Sequence, residues 1–339
     1  MNTQALTETA RAMVAKGKGL LAMDESNGTC NKRFASAGIP QTVEMRRAWR
    51  ELLLTTSGLG TCISGVILFD ETLRQAKTDG TPFVQVARDA GVLVGIKVDT
   101  GAKALAAHLG ETVTEGLDGL RERLLSYFET GARFAKWRGV VAMDDMHLPT
   151  SACTSANAHA LARYAALCQE AGLVPIIEPE VLMDGPHTQA RCQDVTEAVL
   201  RTVFEQLVLQ GVVLEAMILK PNMVIAGMAC TSRNTAAEVA DATMQCLRRA
   251  VPSAVPGIMF LSGGQAGEEA SSRLNAMHLG GDLPWPLSFS FGRALQHPAL
   301  DIWAGKDANR MAAQRALMHR ARCNSAALKG EYRTAMEQA

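Results

Sequence analysis

The stretch LVPIIEPE, residues 173–180, is an apolar run that ends in two acidic residues, Glu178 and Glu180. A short apolar run bounded by polar residues is typical of a strand that is covered on both faces of a parallel sheet. The sequence predicts eight such strands, because seven further runs of this kind occur in the chain: GLLAMD (19–24), SGVILFD (64–70), VLVGIKVD (92–99), AKWRGVVAM (135–143), LEAMILKP (214–221), GIMFLSGG (257–264) and LSFSFGR (287–293).

Segments with helical periodicity separate these runs, and Gly or Pro ends most of them. Strand and helix in alternation predict a parallel sheet with helices outside, and eight such units favour a single-domain α/β fold, the (β/α)8 TIM barrel. We expect one domain over residues 1–339, with an N-terminal helix at 1–17 and a C-terminal helix and short tail at 307–339. An open doubly wound sheet is the rival, but the first run leads into MDESNGTC and lacks that fold's glycine-rich phosphate loop.

The composition excludes several classes of protein. The 339 residues are 47% hydrophobic and 20% charged, which is ordinary globular composition and not that of a disordered chain. Because 34 basic residues balance 34 acidic ones, no overall field favours nucleic acid or a membrane as partner. The eight cysteines form no C-x-x-C pair and no apolar stretch is long enough to span a bilayer. We expect a cytoplasmic protein.

Lys220 closes one of the apolar runs and is followed at once by Pro221. In a barrel of this type the active site lies at the carboxyl ends of the strands, where this lysine is placed. Its side chain either extends to solvent or acts as a Schiff-base nucleophile. An ordinary lysine, with a pKa of ~10.4, is neutral in only about one molecule in a few thousand at pH 7. Neighbouring cations would make it reactive, and the candidates are Lys97, Lys136, Arg138 and Arg293.

Carboxylates also converge on the strand ends. Glu178 and Glu180 flank Pro179, so in an extended chain both point to the same side, and Asp24 closes the first run. Each could serve as a proton shuttle, or could be an ion-pair partner for the lysines. A mouth that combines lysines and carboxylates in this way is suited to proton transfer on a polar, anionic substrate.

Two clusters are candidates for phosphate binding. The loops after strands seven and eight are this fold's usual phosphate site, and here they carry Ser262, Gly263 and Gly264, and then Ser290, Gly292 and Arg293. A Gly-Gly tight turn is the alternative for the first loop. The second cluster follows strand one, with Lys97 as a further member, although its two basic residues could instead form a solvated helix face: Ser26, Thr29, Lys32 and Arg33.

The seven histidines show none of the pair spacings that hold catalytic zinc. The sequence therefore predicts neither a metal nor a cofactor.

Several motifs resemble those of the class I fructose-bisphosphate aldolases, in matching order from about residue 5 to about residue 334. They are GKGLLAMDESNGTCNKRF, GVILFDETL, GIKVD, FAKWR, VPIIEPE, ILKPNMV, FLSGGQ and SFSFGRAL, and LLAMDESNGTC is closer to the plant and bacterial members. The resemblance implies a metal-independent lyase that reversibly cleaves fructose 1,6-bisphosphate to dihydroxyacetone phosphate and glyceraldehyde 3-phosphate. It also implies a homotetramer.

The resemblance further implies roles for single residues. Lys220 would attack the substrate ketone, Glu178 would transfer protons in carbinolamine formation and dehydration, and Asp24 would take the C4 hydroxyl proton. Lys136 would stabilise charge at that centre. Ser262, Gly263, Gly264, Ser290, Gly292 and Arg293 would hold the phosphate of the dihydroxyacetone side, the cluster after strand one with Lys97 would hold the other, and Arg138 and Glu180 would support the substrate between them.

The chain departs from the animal members at its C-terminus. Those members carry a long tail that ends in Tyr and is linked to proton exchange on the enamine, whereas this chain ends EYRTAMEQA. Tyr332 resembles a tyrosine that precedes the tail. The donor to the enamine is then Glu178 or a bound phosphate, and we predict that removing the residues after Tyr332 hardly changes turnover.

Two other functions are open to this sequence. One is a different phosphosugar enzyme on the same barrel, an isomerase or another Schiff-base lyase, and the other is a scaffold without catalysis. Phosphate clusters at opposite ends of the mouth would favour a bisphosphate substrate. The presence of Asp24, Lys136, Glu178 and Lys220 together argues against the scaffold. The choice between fructose and sedoheptulose bisphosphates stays open.

Overall fold

The computed structural model describes residues 2–144, 146–281 and 283–338. Met1 and Ala339, at the ends of the predicted terminal segments, lie outside the described residues. Eight parallel strands close into a barrel in the ring order β1-β10-β9-β8-β7-β6-β3-β2. Each lies within or across one of the eight predicted runs: β1 Gly19–Ala22, β2 Ile63–Leu68, β3 Leu93–Lys97, β6 Phe134–Val141, β7 Val174–Val181, β8 Ile218–Leu219, β9 Ile258–Phe260 and β10 Leu287–Phe291. The predicted fold is confirmed.

Helices surround the barrel and fill the connections between its strands. None within the described residues is both long and apolar enough to cross a membrane. Short 3-10 turns lie at Leu59–Thr61, Leu214–Ala216, Asp307–Asn309 and Thr334–Gln338. The α-helices are α1 Thr3–Met13, α2 Asn27–Ser36, α3 Val43–Leu54, α4 Asp70–Leu73, α5 Phe83–Asp89, α6 Leu120–Thr130, α7 Ser151–Glu170, α8 Gln189–Leu209, α9 Ala236–Ala250, α10 Gly267–Leu279, α11 Arg293–Trp303 and α12 Arg310–Ala327.

The interior of the barrel is filled by side chains and is not a pore. Phe134 occupies the space beside β3, where a Cβ on Gly95 would lie 2.0 Å from the Phe134 ring, so only glycine fits there. Leu20, Ile176 and Ile218 belong to the same buried cluster, which α1 covers at the amino end of the strands. A larger cluster lies between the sheet and the outer helices. Burial on both faces explains why the strands read as continuous apolar runs.

The predicted N-terminal helix, residues 1–17, is shorter in the structure. It ends at Met13, and Gly17 adopts a positive φ of 73°, a left-handed conformation that glycine reaches without strain and that turns the chain toward β1. At the other terminus, the expected helix over 307–339 is α12, which stops at Ala327. The chain then turns back, and its last described residues form the 3-10 turn Thr334–Gln338.

An antiparallel hairpin, β4 Gly101–Ala104 with β5 Thr112–Glu115, was not among the predicted elements. Each strand has four residues, β4 is largely exposed and β5 is mostly half-buried, so no apolar run marks them. The hairpin docks on the barrel through Thr114, whose hydroxyl donates to the Arg138 carbonyl over 2.7 Å and whose N–H donates to Asn157 Oδ1 over 3.2 Å. Gly101 and Ala102 thereby reach the mouth of the barrel.

Candidate active site

A cavity of about 890 Å³ opens at the carboxyl ends of the barrel strands. Its walls contain all seventeen site residues that the sequence predicts. They come from segments spread over 270 positions of the chain, and the barrel brings them together because its parallel strands all end at the same rim. The seventeen are Asp24, Ser26, Thr29, Lys32, Arg33, Lys97, Lys136, Arg138, Glu178, Glu180, Lys220, Ser262, Gly263, Gly264, Ser290, Gly292 and Arg293.

Lys220 lies at the end of β8 with its amine inside the barrel mouth. The residue is only 3% exposed, so its side chain does not extend to solvent. Its backbone N–H donates to the Ile177 carbonyl over 2.7 Å, which continues the ladder for one residue past the strand. The Nζ atom lies 2.9 Å from Oε1 of Glu178. The nearest charged partner of this amine is therefore a carboxylate, where the sequence led us to expect cations.

Lys136 joins two carboxylates that enter from different sides. Its Nζ atom lies 2.9 Å from Oδ2 of Asp24 and 3.1 Å from Oε2 of Glu178. Asp24 follows β1 and Glu178 is on β7, four places away in the ring of eight strands, which is directly across the barrel. Glu178 thus has one ammonium on each oxygen, Lys220 on Oε1 and Lys136 on Oε2.

These contacts fix the charge state of the cluster. Burial alone would raise the pKa of Asp24, but the charges of Lys136, Lys220 and Lys97 outweigh it and hold that pKa well below its ordinary value. The pKa of Glu178 is also lowered, because Lys136, Lys220 and Arg138 together outweigh burial and the repulsion from Asp24. Burial would lower the pKa of Lys136, but Asp24 and Glu178 raise it above its ordinary value. The two acids are therefore ionised and Lys136 is charged at neutral pH.

Two further ion pairs flank this centre. Arg138 Nε donates to Oε2 of Glu180, which lies two residues after Glu178 on the same side of β7. Burial acts to lower the pKa of Arg138, yet Glu180 raises it above the ordinary value. Lys97 donates to Asp99, both to its backbone carbonyl and to its carboxylate. The carboxylates described so far each have a Lys or Arg partner.

The loop after β9 has the backbone of an anion site. Gly263 and Gly264 have φ angles of 52° and 96°, both left-handed, and a Cβ on Gly263 would lie 1.9 Å from Cε of Met183. Gly264 is close to the guanidinium of Arg293, since a Cβ added to it would lie 3.5 Å from Nη2. Successive N–H groups in such a conformation form a concave nest for an anion. The Arg293 side chain thus faces the loop after β9, with which it was predicted to share a phosphate site.

Ser290 adds a second feature to this side of the cavity. Its hydroxyl is buried, lines the cavity, and has no hydrogen-bond partner among the described residues. A buried hydroxyl without a partner is costly unless a ligand supplies one. Gly292, which follows β10, precedes the first turn of α11. On this side of the mouth the Ser290 hydroxyl can therefore donate a hydrogen bond to a ligand.

The second predicted cluster lies at the start of α2. The Ser26 hydroxyl caps the helix by accepting from the Thr29 N–H, and it lies 3.1 Å from the Thr29 hydroxyl. Arg33 points to Glu25, whereas Lys32 is exposed at the rim. Lys97 on β3 lies across the ring from β9, but the α2 residues follow β1, which is a neighbour of β10. We expected the two phosphate clusters at opposite ends of the mouth. In ring order, Lys97 is the only member of the second cluster whose strand lies opposite the first.

Sequence reasoning missed several residues of the cavity wall, among them Glu25, Arg123 and Tyr127. Glu25 accepts a hydrogen bond from Arg33, forms an ion pair with Arg50 at 2.7 Å, and accepts a hydrogen bond from the Gln296 amide over 3.0 Å. The sequence could have indicated Glu25 as a site residue, because it directly follows Asp24 at the end of the first strand. Arg123 and Tyr127 lie one turn apart on α6, and no sequence pattern shows which face of that helix meets the mouth.

Comparison with known proteins decides the family. A family model described as fructose-bisphosphate aldolase class-I matches residues 5–339. The chain belongs to the class I fructose-bisphosphate aldolases. It is 55% identical to a protein of Xanthomonas campestris pv. campestris named "Probable fructose-bisphosphate aldolase class 1", over 98% of this chain and all of that one. It is 53% identical to the cytosolic fructose-bisphosphate aldolase 6 of Arabidopsis thaliana, over 94% and 88% of the two chains.

A solved structure supports the same conclusion. The fructose-bisphosphate aldolase of Plasmodium falciparum, crystallised with TRAP and a small-molecule inhibitor, superposes with a TM-score of 0.96 and 47% identity, covering 98% of this chain and 96% of that one. This aldolase is thus a metal-independent lyase that cleaves fructose 1,6-bisphosphate through a lysine Schiff base. The isomerase and scaffold alternatives are excluded.

Proposed function

We propose that Lys220 forms the Schiff base of this aldolase. The observation that carries the proposal is the burial of its amine at the bottom of the cavity, 2.9 Å from a carboxylate that can move its protons. The amine attacks C2 of the keto sugar and gives a carbinolamine, and loss of water then gives an iminium ion. The iminium accepts the electron pair of the breaking C3–C4 bond, so cleavage needs no metal.

Glu178 is the proton carrier for the first half of the reaction. Its Oε1 is in contact with Lys220, so it can take the proton that the attacking nitrogen loses and return it to the departing hydroxyl. Lys136 holds the other oxygen and fixes the orientation of the carboxylate. The lowered pKa of Glu178 means that it begins as a base.

Asp24 and Lys136 act together at the bond that breaks. Asp24 is ionised in the free enzyme and takes the proton of the C4 hydroxyl as the C3–C4 bond opens, which releases glyceraldehyde 3-phosphate as an aldehyde. Lys136 stays charged because its pKa is raised, and it stabilises the negative charge that develops on the C4 oxygen. The pair is preorganised, since their contact of 2.9 Å exists before substrate arrives.

The two phosphates are placed by the two clusters. Ser262, Gly263, Gly264, Ser290, Gly292 and Arg293 receive the phosphate of the dihydroxyacetone side, and the nest at Gly263 and the unpartnered Ser290 hydroxyl support this. Ser26, Thr29, Lys32, Arg33 and Lys97 receive the other phosphate, while Arg138 and Glu180 line the wall between them. Arg33 and Lys97 already have carboxylate partners, so a phosphate here shares them with Glu25 and Asp99.

The enamine that remains after cleavage is protonated by Glu178 or by the bound phosphate. Within the described residues, the C-terminal segment after α12 does not line the cavity. Tyr332 is buried, and its hydroxyl donates to Glu337 over 2.8 Å. Its position therefore supports a role in the fold and not at the enamine.

The assembly and location of this aldolase are also proposals. We infer a cytoplasmic homotetramer. The eight cysteines are all free thiols, as in a reducing compartment, and the Arabidopsis relative is named as cytosolic. Val208 and Leu209, at the end of α8, are 65% and 68% exposed, which supports burial of that helix end against another subunit.

The test is chemical trapping of the Schiff base. Treating the enzyme and fructose 1,6-bisphosphate with borohydride should reduce the iminium, and mass spectrometry should find the three-carbon phosphate on Lys220. Lys220→Met should abolish the adduct and lower kcat by at least about 10⁴-fold, the scale of nucleophile loss in other covalent enzymes. Lys32→Met, the same change at the rim, should still form the adduct. An adduct on another lysine in the wild-type enzyme would refute the assignment.

A further inference from the structure

A group of three side chains with metal-ligand atoms lies outside the active-site cavity, at the C-terminal helix and the turn that follows it. His319 and Cys323 are one turn apart on α12, and the 3-10 turn Thr334–Gln338 brings Glu337 against them. His319 Nε2 lies 3.7 Å from Cys323 Sγ and 3.7 Å from Glu337 Oε2, and the three ligand atoms all lie within 4.8 Å of one another. None of the three lines the active-site cavity.

The two distances from His319 match those in a tetrahedral zinc site. Zinc binds imidazole nitrogen and carboxylate oxygen at about 2.0–2.2 Å and thiolate sulfur at about 2.3 Å, so two neighbouring ligand atoms are then about 3.3–3.8 Å apart. Both distances from His319 Nε2 fall within that range. A hydrogen bond between His319 and Glu337 would bring their atoms closer, to about 2.9 Å. The gap between His319 and Glu337 therefore fits an ion better than a direct hydrogen bond, and the distance from His319 to Cys323, which allows a hydrogen bond to sulfur, also fits a shared ion.

Glu337 still has the capacity to bind an ion. Arg320 Nη1 contacts both of its oxygens and the Tyr332 hydroxyl donates to Oε1. A carboxylate offers about four acceptor positions, so about one stays open, on Oε2. That oxygen is the one nearest His319. Arg320 and Tyr332 therefore orient the carboxylate as outer-shell partners do in metal sites.

The charges around the group favour a divalent cation with thiolate and carboxylate ligands. Binding replaces the thiol proton of Cys323, which leaves to solvent, so the two anionic ligands balance the two charges of the ion. Among the described residues, the positive charge of Arg320 contacts Glu337, and the negative charge of Glu268 on α10 opposes that of Arg320 at Cys323. The local charge thus remains small after the ion is bound.

We propose that His319, Cys323 and Glu337 form a binding site for a borderline-soft divalent cation, of which Zn²⁺ is the type. One imidazole, one thiolate and one carboxylate are donors that zinc takes, and a water molecule completes the tetrahedron where His319 is 30% exposed. The ion is structural and fastens the last turn of the chain to α12. Aldol cleavage does not depend on it, because the reacting groups lie in the separate cavity.

A search of the sequence for histidine pairs does not find this site. The α12 residues have the spacing H-x-x-x-C, and the third ligand comes from a turn that only the folded chain brings back to the helix. The expectation of no metal was drawn from the histidine spacings, and the proposal revises it for a site outside the catalytic centre.

The test is metal titration of the full-length enzyme after removal of bound metal with a chelator. Zn²⁺, in competition with a chromophoric chelator, should bind the wild-type chain with one tight equivalent. Co²⁺ in its place should give thiolate-to-metal charge-transfer absorption. His319→Ala, Cys323→Ser and Glu337→Gln should each weaken Zn²⁺ binding by more than about tenfold. The cobalt absorption should disappear in Cys323→Ser.

Matched controls separate this site from other thiols and histidines. His297 pairs with Asp301 one turn away on α11, at 3.6 Å, but no thiol joins them, so His297→Ala should leave Zn²⁺ binding unchanged. Cys230→Ser, in the loop before α9, should also leave it unchanged. Cleavage activity and circular dichroism confirm that each variant is folded. Absence of a tight equivalent in the wild type, or binding that survives both His319→Ala and Cys323→Ser, would refute the site without affecting the aldolase assignment.

Discussion

Asp24 and Glu178 stand on opposite sides of the barrel, and the single ammonium group of Lys136 contacts both, at 2.9 and 3.1 Å. The cluster is closed by Lys220 on the other oxygen of Glu178. Four charges of alternating sign thus form a chain across the mouth, Asp24, Lys136, Glu178 and Lys220. In such a buried chain each group depends on its neighbours, so that loss of one member leaves another charge without a partner.

Glu178→Gln should show this dependence in both catalysis and stability. The amide cannot carry protons for Lys220, so kcat should fall by about 10²–10⁴-fold. The change also leaves the Lys220 charge without its carboxylate, which should lower the free energy of unfolding by about 3 kcal/mol. Steady-state kinetics and urea unfolding measure the two effects. In Glu180→Gln, two residues along the same strand, kcat should fall far less. An equal fall in kcat in both variants would show that Glu178 is not the specific proton carrier.

The stability of the enzyme should fall in acid partly through Asp24. The pKa of Asp24 and that of Glu178 are lower in the folded protein than their ordinary values of 3.8 and 4.5. As the pH drops below about 4.5, the unfolded chain therefore binds protons first, and stability is lost as the pH falls through the folded values. The pKa of Lys136 is raised above 10.5, so its contribution is complete below that pH and is lost only as the pH rises above it. Between those limits the cluster should contribute a constant stability.

Asp24→Asn isolates this contribution. The variant should be less stable than the wild type at pH 7, and its unfolding free energy should fall less steeply below pH 4, by up to about 1.4 kcal/mol per pH unit. Urea unfolding between pH 3 and pH 8 measures the difference. Asp118→Asn, at an exposed aspartate outside the cavity, serves as the control. A steeper acid loss in Asp24→Asn than in the wild type would contradict the charge state derived from the structure.

The two phosphate clusters can be told apart with two substrates. Arg293→Ala removes a cation from the dihydroxyacetone side and should raise KM for both fructose 1,6-bisphosphate and fructose 1-phosphate, by about tenfold or more. Lys32→Ala should raise KM for the bisphosphate alone, because the monophosphate has no group at that end. Steady-state kinetics with both sugars supply the measurement. The assignment of the clusters would be reversed if Lys32→Ala impaired the monophosphate as strongly.

Removal of the residues after Tyr332 should separate stability from turnover. The chain ending at Tyr332 lacks Glu337, which binds Arg320 and accepts from the Tyr332 hydroxyl, so its thermal midpoint should fall. Its kcat and its rate of proton exchange on dihydroxyacetone phosphate should match the wild type, because the deleted segment lies away from the cavity. Glu337→Gln, which keeps the tail, is the matched variant. A large and selective loss of proton exchange on truncation would show that the tail reaches the enamine.

The fold of this aldolase could be predicted from sequence because each strand is marked by a short apolar stretch of the chain. A strand that is covered on both faces is nearly continuously apolar, and each of the eight runs shows this within six to nine residues. The hairpin β4–β5 was missed because its strands are short and only partly buried, so no continuous apolar run marks them. The end of α1 was misplaced for a related reason, since helix ends depend on single residues such as Gly17 and not on periodicity.

The sequence by itself determined that the charged residues at the strand ends meet at one site, because the carboxyl ends of parallel strands lie at the same rim of a barrel. It could not determine which of those charges pair. Lys136 with Asp24 and Glu178, Glu25 with Arg33 and Arg50, and Glu337 with Arg320 are contacts between residues 8 to 112 positions apart. Such pairs follow from distances across the closed ring and from helices packed outside it, and those distances exist only once the chain has folded.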